Sequence, residues 1–518
     1  MAKAPLNGTE ECSMQKSSKN FPRDKKSHVT IKKLDLIKIK KFRDTSLELP
    51  ESGIVAIMGA NGSGKSTILH VLACLYQPNK SIHFIQETYK WSRFFIPHEG
   101  NFWRGSKVSA DFLGQKESID YQKTSERWTP KYSKRPERFV RFIGVGDFYP
   151  HIEREKYHTK FQLSRSDLAS SKKEKILEYA RAILRKDYQD INKAQKKSGT
   201  LRELLQVEVN AEEKLKYTSF YMGGGEQKIF YLLEVLLDAP KDSLILIEEL
   251  ETLLHASALS RLIESMIKIA KEKNFQIVFS THWTGIQKFQ EKIAIKTLVE
   301  TSTGVAIING VDPNVIYDLT SETDEKSMID VWVEDELSEQ IIKSISAELA
   351  LHPRIKISRF GSGTNAFSIA AYYTLSNKNN CVVVLDGDIF VGLEEKQDQL
   401  KKTISGTESE IKKSQERSVD MIVQFNPGTK SNPEDFLLSL LDEEVAAPTA
   451  EIQNFRARKK AIYKKNGKEI ILDFQQHFRF TPEALSFHLI EHARKCCEQW
   501  STYTAEVRKK LEEKAKPS

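Results

Sequence analysis

The chain reads as an α/β protein with two parallel-sheet units in series and a small helical region at its end. Three observations predict this. Ile54–Met58, Leu244–Ile247 and Val382–Leu385 are continuous apolar runs of the kind that fill strands buried on both faces. Helical patterns alternate with such strands. The length, 518 residues, is too great for one core and suits two to four domains.

The hydrophobic share of 39% and charged share of 29% are those of a globular chain with a core to bury. Lys and Arg number 79 against 71 Asp and Glu, a formal charge of +8 that permits an acidic partner without requiring one. The five cysteines, Cys12, Cys74, Cys381, Cys496 and Cys497, show no CxxC spacing. An odd count without that spacing argues against a disulfide framework and a structural zinc site, and fits free thiols in a reducing cytosol. No apolar run approaches the roughly 20 residues of a membrane span. Residues 1–28 are polar, lack an apolar signal core, and read as a disordered basic arm.

Along the chain, Val29 to Leu49 alternates as two strands, Ile54–Met58 forms a buried strand, and a helix covers Ser66 to Leu75. Residues from about Phe94 to Phe148 mix strand and loop. From Ser166 to Lys216 the sequence turns Lys/Glu-rich, with Ile176, Tyr179, Ile183 and Leu184 at helical spacing and no proline, which predicts a helical insertion. Strand Leu244–Ile247, a helix near Ser257 to Lys271 and strand Gln276–Phe279 complete the first unit. After a connector, Val311 to Lys326, a strand–helix–strand–helix–strand pattern starts at Met328 and ends in Cys381–Leu385. From about Ala446 the chain is basic and helical.

Gly59-Ala60-Asn61-Gly62-Ser63-Gly64-Lys65-Ser66 fits G-x-x-x-x-G-K-[ST] and lies between a strand and a helix, the context this motif needs. Its glycines let backbone N–H groups approach phosphates, and the helix N-terminus favours their charge. Gly59, Asn61, Gly62, Gly64, Lys65, Ser66 and Thr67 are therefore the candidate nucleotide-binding residues, with Ser66 also a Mg²⁺ ligand. Glu248 and Glu249 end an apolar strand; the first fits Mg²⁺ coordination and the second the polarisation of an attacking water. His282, after Ser280-Thr281, is placed to sense the γ-phosphate.

A second set of acids follows the same logic. Glu334 ends one apolar strand, and Asp386 and Asp388 follow another. Carboxylates at the carboxyl ends of a parallel sheet suit Mg²⁺ or Mn²⁺ and phosphodiester chemistry. In the segment 426–435, Glu434 is a candidate further metal ligand and Lys430 a candidate for stabilising phosphate charge; a loop capping a helix is the competing reading for each. Arg456, Arg458, Lys459, Lys460, Lys464 and Lys465, flanked by Phe455 and Tyr463, form a basic cluster that suits phosphates or a solvated helix.

The segment Met222-Gly223-Gly224-Gly225-Glu226-Gln227-Lys228 resembles the ABC signature motif, with Gly224 and Gly225 as its glycines. Together with the phosphate loop, Glu248-Glu249 and Ser280-Thr281-His282, it makes residues 29 to 285 similar to the SMC/RecF/OLD branch of ABC ATPases. That resemblance implies ATP sandwiched between two ATPase heads, hence a homodimer or higher oligomer. Glu248 stands where the family has Asp and Gly223 where it has Ser, departures that imply slow hydrolysis. Residues 328 to 440 resemble a Toprim domain, which implies that Glu334 binds metal or moves a proton and that Asp386 and Asp388 are ligands. Asp335 stands where many such domains have glycine, and Glu339 is the candidate for a further acid downstream.

The fused order resembles OLD-family ATPase–nucleases, including GajA-like and retron-associated antiphage effectors. The expected division is an arm (1–28), an ABC-type, SMC/RecF-like ATPase domain (29–320) with a helical insertion (about 152–216), a Toprim nuclease domain (328–445) and a basic helical C-terminal region (446–518). The resemblance implies a bacterial cytoplasmic enzyme using ATP and Mg²⁺ or Mn²⁺, cutting DNA or tRNA, with a defence-system partner such as a retron reverse transcriptase with its RNA–DNA, and no membrane. The alternatives are an SMC-like ATP-dependent DNA clamp with a non-catalytic Toprim scaffold, and a repair or replication factor.

Overall fold

The computed structural model describes residues 29–78, 87–99, 103–150, 153, 163–166, 168–196, 204–210, 215–301, 304–310, 328–404, 409–425, 432–443, 448–462 and 465–516. The expected arm (1–28), the connector Val311 to Lys326, Lys430, Tyr463 and Lys464 lie outside them.

The first unit opens with the antiparallel pair β1 (Ile31–Ile39) and β2 (Phe42–Glu48), followed by β3 (Gly53–Gly59) and α1 (Lys65–Cys74). Then come α2 (Trp91–Phe94), β4 (Lys107–Phe112), β5 (Ile119–Lys123), β6 (Trp128–Thr129) and β7 (Val140–Ile143). An excursion carries β8 (Leu163–Ser166), α3 (Ser170–Leu184), β9 (Tyr188–Lys196), β10 (Leu204–Val209) and β11 (Leu215–Thr218). The unit closes with α4 (Gly224–Asp238), β12 (Leu244–Ile247), α5 (Ala256–Lys273), β13 (Gln276–Ser280), β14 (Ala294–Glu300) and β15 (Val305–Asn309).

Its central sheet has the order β15-β14-β3-β13-β12-β7, parallel except for the antiparallel pair β14–β15. Successive residues of a strand face opposite ways, and both directions are buried. Ile54, Ala56, Ile245 and Ile277 pack toward the core that holds α3, α4 and α5. Val55, Ile57, Leu244, Leu246 and Val278 pack toward α1 and the antiparallel sheet β2-β1-β4-β5-β6.

The excursion departs from the expected helical insertion. Among the described residues only α3 is a long helix; β8 to β11 form an antiparallel four-stranded sheet. Its strands bury Tyr188, Ile191, Val207 and Val209 against the helical core of the unit, so tertiary burial overrides the helical propensity of the lysines and glutamates between them. Glu226 on α4 accepts hydrogen bonds from the hydroxyls of Tyr188 and Tyr217, both at 2.6 Å, tying this sheet to that helix.

The second unit is β16 (Ile329–Val333), α6 (Glu336–Glu348), β17 (Ile355–Arg359), α7 (Gly363–Leu375), β18 (Cys381–Leu385), α8 (Leu393–Thr403), α9 (Ser409–Met421) and β19 (Ile422–Gln424). The strands are parallel in the order β17-β16-β18-β19. The helices α10 (Pro433–Leu440), α11 (Ala450–Ala461), α12 (Gly467–Phe478), α13 (Pro482–Lys495) and α14 (Cys497–Ala515) follow.

These last helices are part of the second unit. Leu485, Leu489, Trp500, Tyr503, Val507 and Leu511 share one core with Val331, Val333, Val382 and Val384 of the sheet. The opposite face buries Trp332, Val383 and Leu385 with α7, and takes in Val299 and Ile308 from the first unit. Four members of the basic cluster have partners within the chain, while Lys460 is exposed. Arg458 and Lys465 pair with Asp473, Lys459 with Asp442, and Arg456 donates to the carbonyls of Leu441 and Glu443, while Phe455 is buried.

Removing residues 448–516 therefore strips one whole face of the β16–β19 sheet. The truncated chain should lose the cooperative unfolding transition of the second unit, and limited proteolysis should degrade residues 328–443 while residues 29–310 survive.

Candidate functional site

β3 delivers the chain into the phosphate loop. Gly59, at φ +143°, has no room for a side chain: a Cβ there would lie 2.7 Å from Ser63 Oγ and 2.8 Å from the Leu298 carbonyl oxygen. Lys65 is buried, and its Nζ donates to the carbonyls of Gly59 (2.9 Å) and Ala60 (3.0 Å). Burial lowers its pKa, against the pull of Glu251 and Glu249.

Glu248 ends β12 opposite this loop. Burial pushes its carboxyl up, but hydrogen bonds from His70 and Ser66 and the backbone N–H of Val145 bring it below its usual value. His70 Nε2 is 3.4 Å from Glu248 Oε1, and its ring stacks on Phe94 at 4.2 Å. The glutamate thus reaches Ser66. His70 was missed by sequence reasoning, although its place four residues after Ser66 puts both on one helix face. Ser66 and Glu248 supply two oxygens, which fits a Mg²⁺ ion completed by phosphate and water.

Glu249 has φ +44°; its backbone N–H donates to Ser280 Oγ (2.9 Å) and its Oε2 accepts from Thr252 Oγ1 (3.1 Å). The His282 backbone N–H donates to Glu251 Oε1 (2.6 Å), and burial followed by the charge of Lys65 lowers the His282 pKa. Glu251, a residue not singled out from sequence, thus joins His282 and Lys65. Gly224 and Gly225 begin α4 and abut Leu253 and Leu254 of the same chain.

The second group of acids sits at the carboxyl ends of β16 and β18. The chain runs from β16 out to β17 and then crosses back to β18 on the other side of β16, so the crevice between β16 and β18 is a topological switch point. Glu334 and Asp386 follow those two strands directly. Asp386 is 3% exposed, and Ser338 Oγ donates to its Oδ1 at 2.6 Å. Burial and then Asp335 raise the Asp386 pKa to about 8. Burial, Asp388 and Asp335 raise that of Glu334 to about 7. Asp388 is exposed. Glu434, 6% exposed at the start of α10, is also raised by burial.

Asp335 takes a structural role here, and the candidate acid Glu339 is engaged elsewhere. Asp335 caps α6, its Oδ1 accepting from the Ser338 backbone N–H (3.0 Å). Glu339 turns outward to pair with Lys343 and Arg359. The structure also adds Lys468, on α12, whose Nζ lies 3.8 Å from Glu434 Oε1. The charge of Glu434 raises its pKa, with Asp335, Asp386 and Glu334 adding to it.

Among the described residues, no three His, Cys, Asp or Glu side chains come close enough together to hold a metal ion. Glu334 Oε2 and Glu434 Oε2 are buried without hydrogen-bond partners among those residues. Such unpaired hard oxygens fit one Mg²⁺ or Mn²⁺ ligated partly by substrate and water.

The sequence family described as "AAA domain, putative AbiEii toxin, Type IV TA system" matches residues 54–286, from β3 to just past His282. This part of the chain is an ATP-binding domain of ATPase type. A 44-residue stretch is 46% identical to the macrolide export ATP-binding/permease protein MacB of Shewanella sp. strain W3-18-1, covering 8% of this chain and 7% of that protein. A stretch of the same length is 48% identical to an uncharacterized ABC transporter ATP-binding protein of Thermotoga maritima, covering 8% of this chain and 19% of that one. The chain thus spans less than a fifth of either curated relative. Among solved structures, the SMC head domain from Thermotoga maritima aligns at 15% identity and a TM-score of 0.33, over 54% of this chain and 99% of that one. No helix among the described residues is long and apolar enough to cross a membrane.

A group whose pKa is raised on folding stabilises the fold while protonated, and that contribution is lost as pH rises through the folded value. Glu334 and Asp386 should therefore make the metal-free protein less stable as pH rises from 5 to 9. The Tm measured across that range in EDTA should fall more steeply for wild type than for Asp386→Asn.

Proposed function

We propose that this chain is a nucleotide-controlled, metal-dependent nuclease acting on phosphodiester bonds of DNA or RNA. The observation that carries the reading is the gathering of Glu334, Asp386, Glu434 and Lys468 around one switch-point crevice. Three carboxylates that burial holds against ionisation lie with one lysine whose charge they favour, and burying such acids costs stability.

One division of labour fits the geometry. A divalent cation, when bound there, neutralises the phosphate and makes a bound water more acidic. Glu334 and Glu434 would hold it through their unpartnered oxygens, with Asp386 fixed in place by Ser338. Asp388, exposed in the turn after β18, would meet the substrate. Glu334, raised to about 7, can take or give a proton near neutral pH. Lys468 supplies the positive charge next to Glu434 that a phosphate oxygen needs, a role that sequence reasoning gave to Lys430. In the first unit, Lys65 and Ser66 would bind ATP phosphates, Glu248 would hold Mg²⁺ with Ser66, and Glu249 would orient water for hydrolysis. Two chains paired through these ATPase units would let nucleotide state set access to the crevice, in a cytoplasmic bacterial setting.

A second reading has one observation in its favour. Since no three ligating side chains converge among the described residues, the second unit could serve as a scaffold in an ATP-dependent DNA clamp. One assay separates the two. Supercoiled plasmid and total tRNA are incubated with purified protein, Mg²⁺ or Mn²⁺, with and without ATP. The nuclease reading requires cutting by wild type that Asp386→Ala abolishes, while both bind ATP equally. Shifted but intact nucleic acid under every condition supports the clamp. Lys468→Ala should cut at least about 100-fold more slowly if its charge meets the phosphate in the transition state, and Lys468→Arg should recover part of that loss.

A further inference from the structure

Lys228 is the most deeply buried lysine among the described residues, at 1% exposure. It stands in the first turns of α4, directly after the glycine-rich segment that begins that helix. Its Nζ donates to the carbonyl oxygens of Glu249 (3.1 Å) and Thr252 (2.9 Å), and lies 3.8 Å from the centre of the Phe148 ring. Phe148 closes the 3₁₀ turn Val145–Phe148, whose first residue donates its N–H to Glu248. One ammonium therefore ties together α4, the turn after β12 and the turn after β7.

The residue held at the centre of this tie is strained. Glu249 adopts φ +44°, a left-handed conformation that a non-glycine residue keeps only where its surroundings enforce it. The direction of its carboxylate follows from that backbone. The same turn leaves no slack against α4, since a Cβ on Gly225 would lie 2.5 Å from the Leu253 carbonyl oxygen. The start of α4 and the 249–254 turn thus move as one body.

We propose that Lys228 is a positioning residue for ATP hydrolysis: it couples α4 to the Glu249 backbone and so sets where the Glu249 carboxylate aims. The inference rests on the ATPase reading of Glu249. Burial lowers the Lys228 pKa to about 7, with Glu251 and Glu249 opposing that shift, so placing this amine there carries a cost that packing alone does not explain. A methionine would fill the same space.

The test uses the full chain with Mg²⁺ and ATP, and compares wild type, Lys228→Met, Lys228→Arg, Glu249→Gln and the double variant Lys228→Met/Glu249→Gln. Binding is read with a fluorescent ATP analogue, and folding by thermal melt. Lys228→Met should lower kcat at least about tenfold while KM and analogue affinity stay within about twofold, and Lys228→Arg should restore part of the rate. In the Glu249→Gln background the same change should add nothing, because both act through one group. Full activity in a folded Lys228→Met, loss of binding in step with kcat, or additive losses in the double variant would each overturn the inference. A wild-type protein that binds the analogue but turns over no ATP would overturn the reading of Glu249 itself. Should Lys228→Met fail to fold, Phe148→Leu, which removes the ring beneath the ammonium and leaves its two carbonyl partners, must lower kcat in the same sense, and an unchanged kcat there would refute the proposal.

Discussion

Both central sheets are covered on both faces, and that one constraint decides where charge can sit. A parallel strand such as β3, β12 or β18 has every residue buried or nearly so, leaving its carboxyl end as the place where polar side chains meet solvent or ligand. The loop after β3, Glu248 and Glu249 after β12, Ser280 to His282 at β13, Glu334 after β16 and Asp386 after β18 all obey it. Neither site is added to the fold. Each is what remains polar once the strands are buried.

The two sites handle their carboxylates in opposite ways. In the first unit Glu248 is met by Ser66, His70 and the Val145 N–H, and Glu249 by Thr252, so both charges are compensated within the chain. In the second unit burial and neighbouring carboxylates push both acids toward neutrality, Asp388 and Asp335 acting on Glu334 and Asp335 and Glu334 acting on Asp386, while Lys468 opposes the shift at Glu334. Removing a carboxylate from the first unit breaks a satisfied network, which destabilises. Removing one from the second relieves repulsion. Stability and activity are therefore aligned at one site and opposed at the other, as expected where chemistry rather than folding selects the residues.

What could be read in the sequence follows the same division. The buried strands announce themselves as unbroken apolar runs, and the residues that follow them, from Gly59 to Asp388, are local and therefore visible. The excursion between β7 and α4 was not legible as a sheet, because its strands carry Lys, Glu and Gln on the outer face. Their inward residues, such as Val207 and Val209, alternate over too short a span to outweigh that composition. Lys468 was hidden by distance along the chain: it reaches Glu434 only because α12 packs on the same core as the β16–β19 sheet. The partners of the basic cluster were hidden for a related reason. Composition counts charges and cannot see that Asp473 already takes two of them.

The same packing joins the two units closely. β14 lies beside β3, and the carbonyl of Leu298 on β14 presses on Gly59 at the start of the phosphate loop. The next residue, Val299, is buried in the core of the second unit together with Ile308 of β15. Asn309, which ends β15, accepts from Lys296, donates to the Lys402 carbonyl at the end of α8, and receives Ser368 of α7 on its own carbonyl. α7 in turn begins at Gly363, whose backbone N–H donates to Glu334. A shift of β3 relative to β14 must therefore either break the Asn309 bonds or carry α7, and with it the donor on Glu334. Interdigitated cores resist gradual deformation, so the β14–β15 hairpin forms a stiff and continuous physical connection between the phosphate loop and the carboxylate crevice.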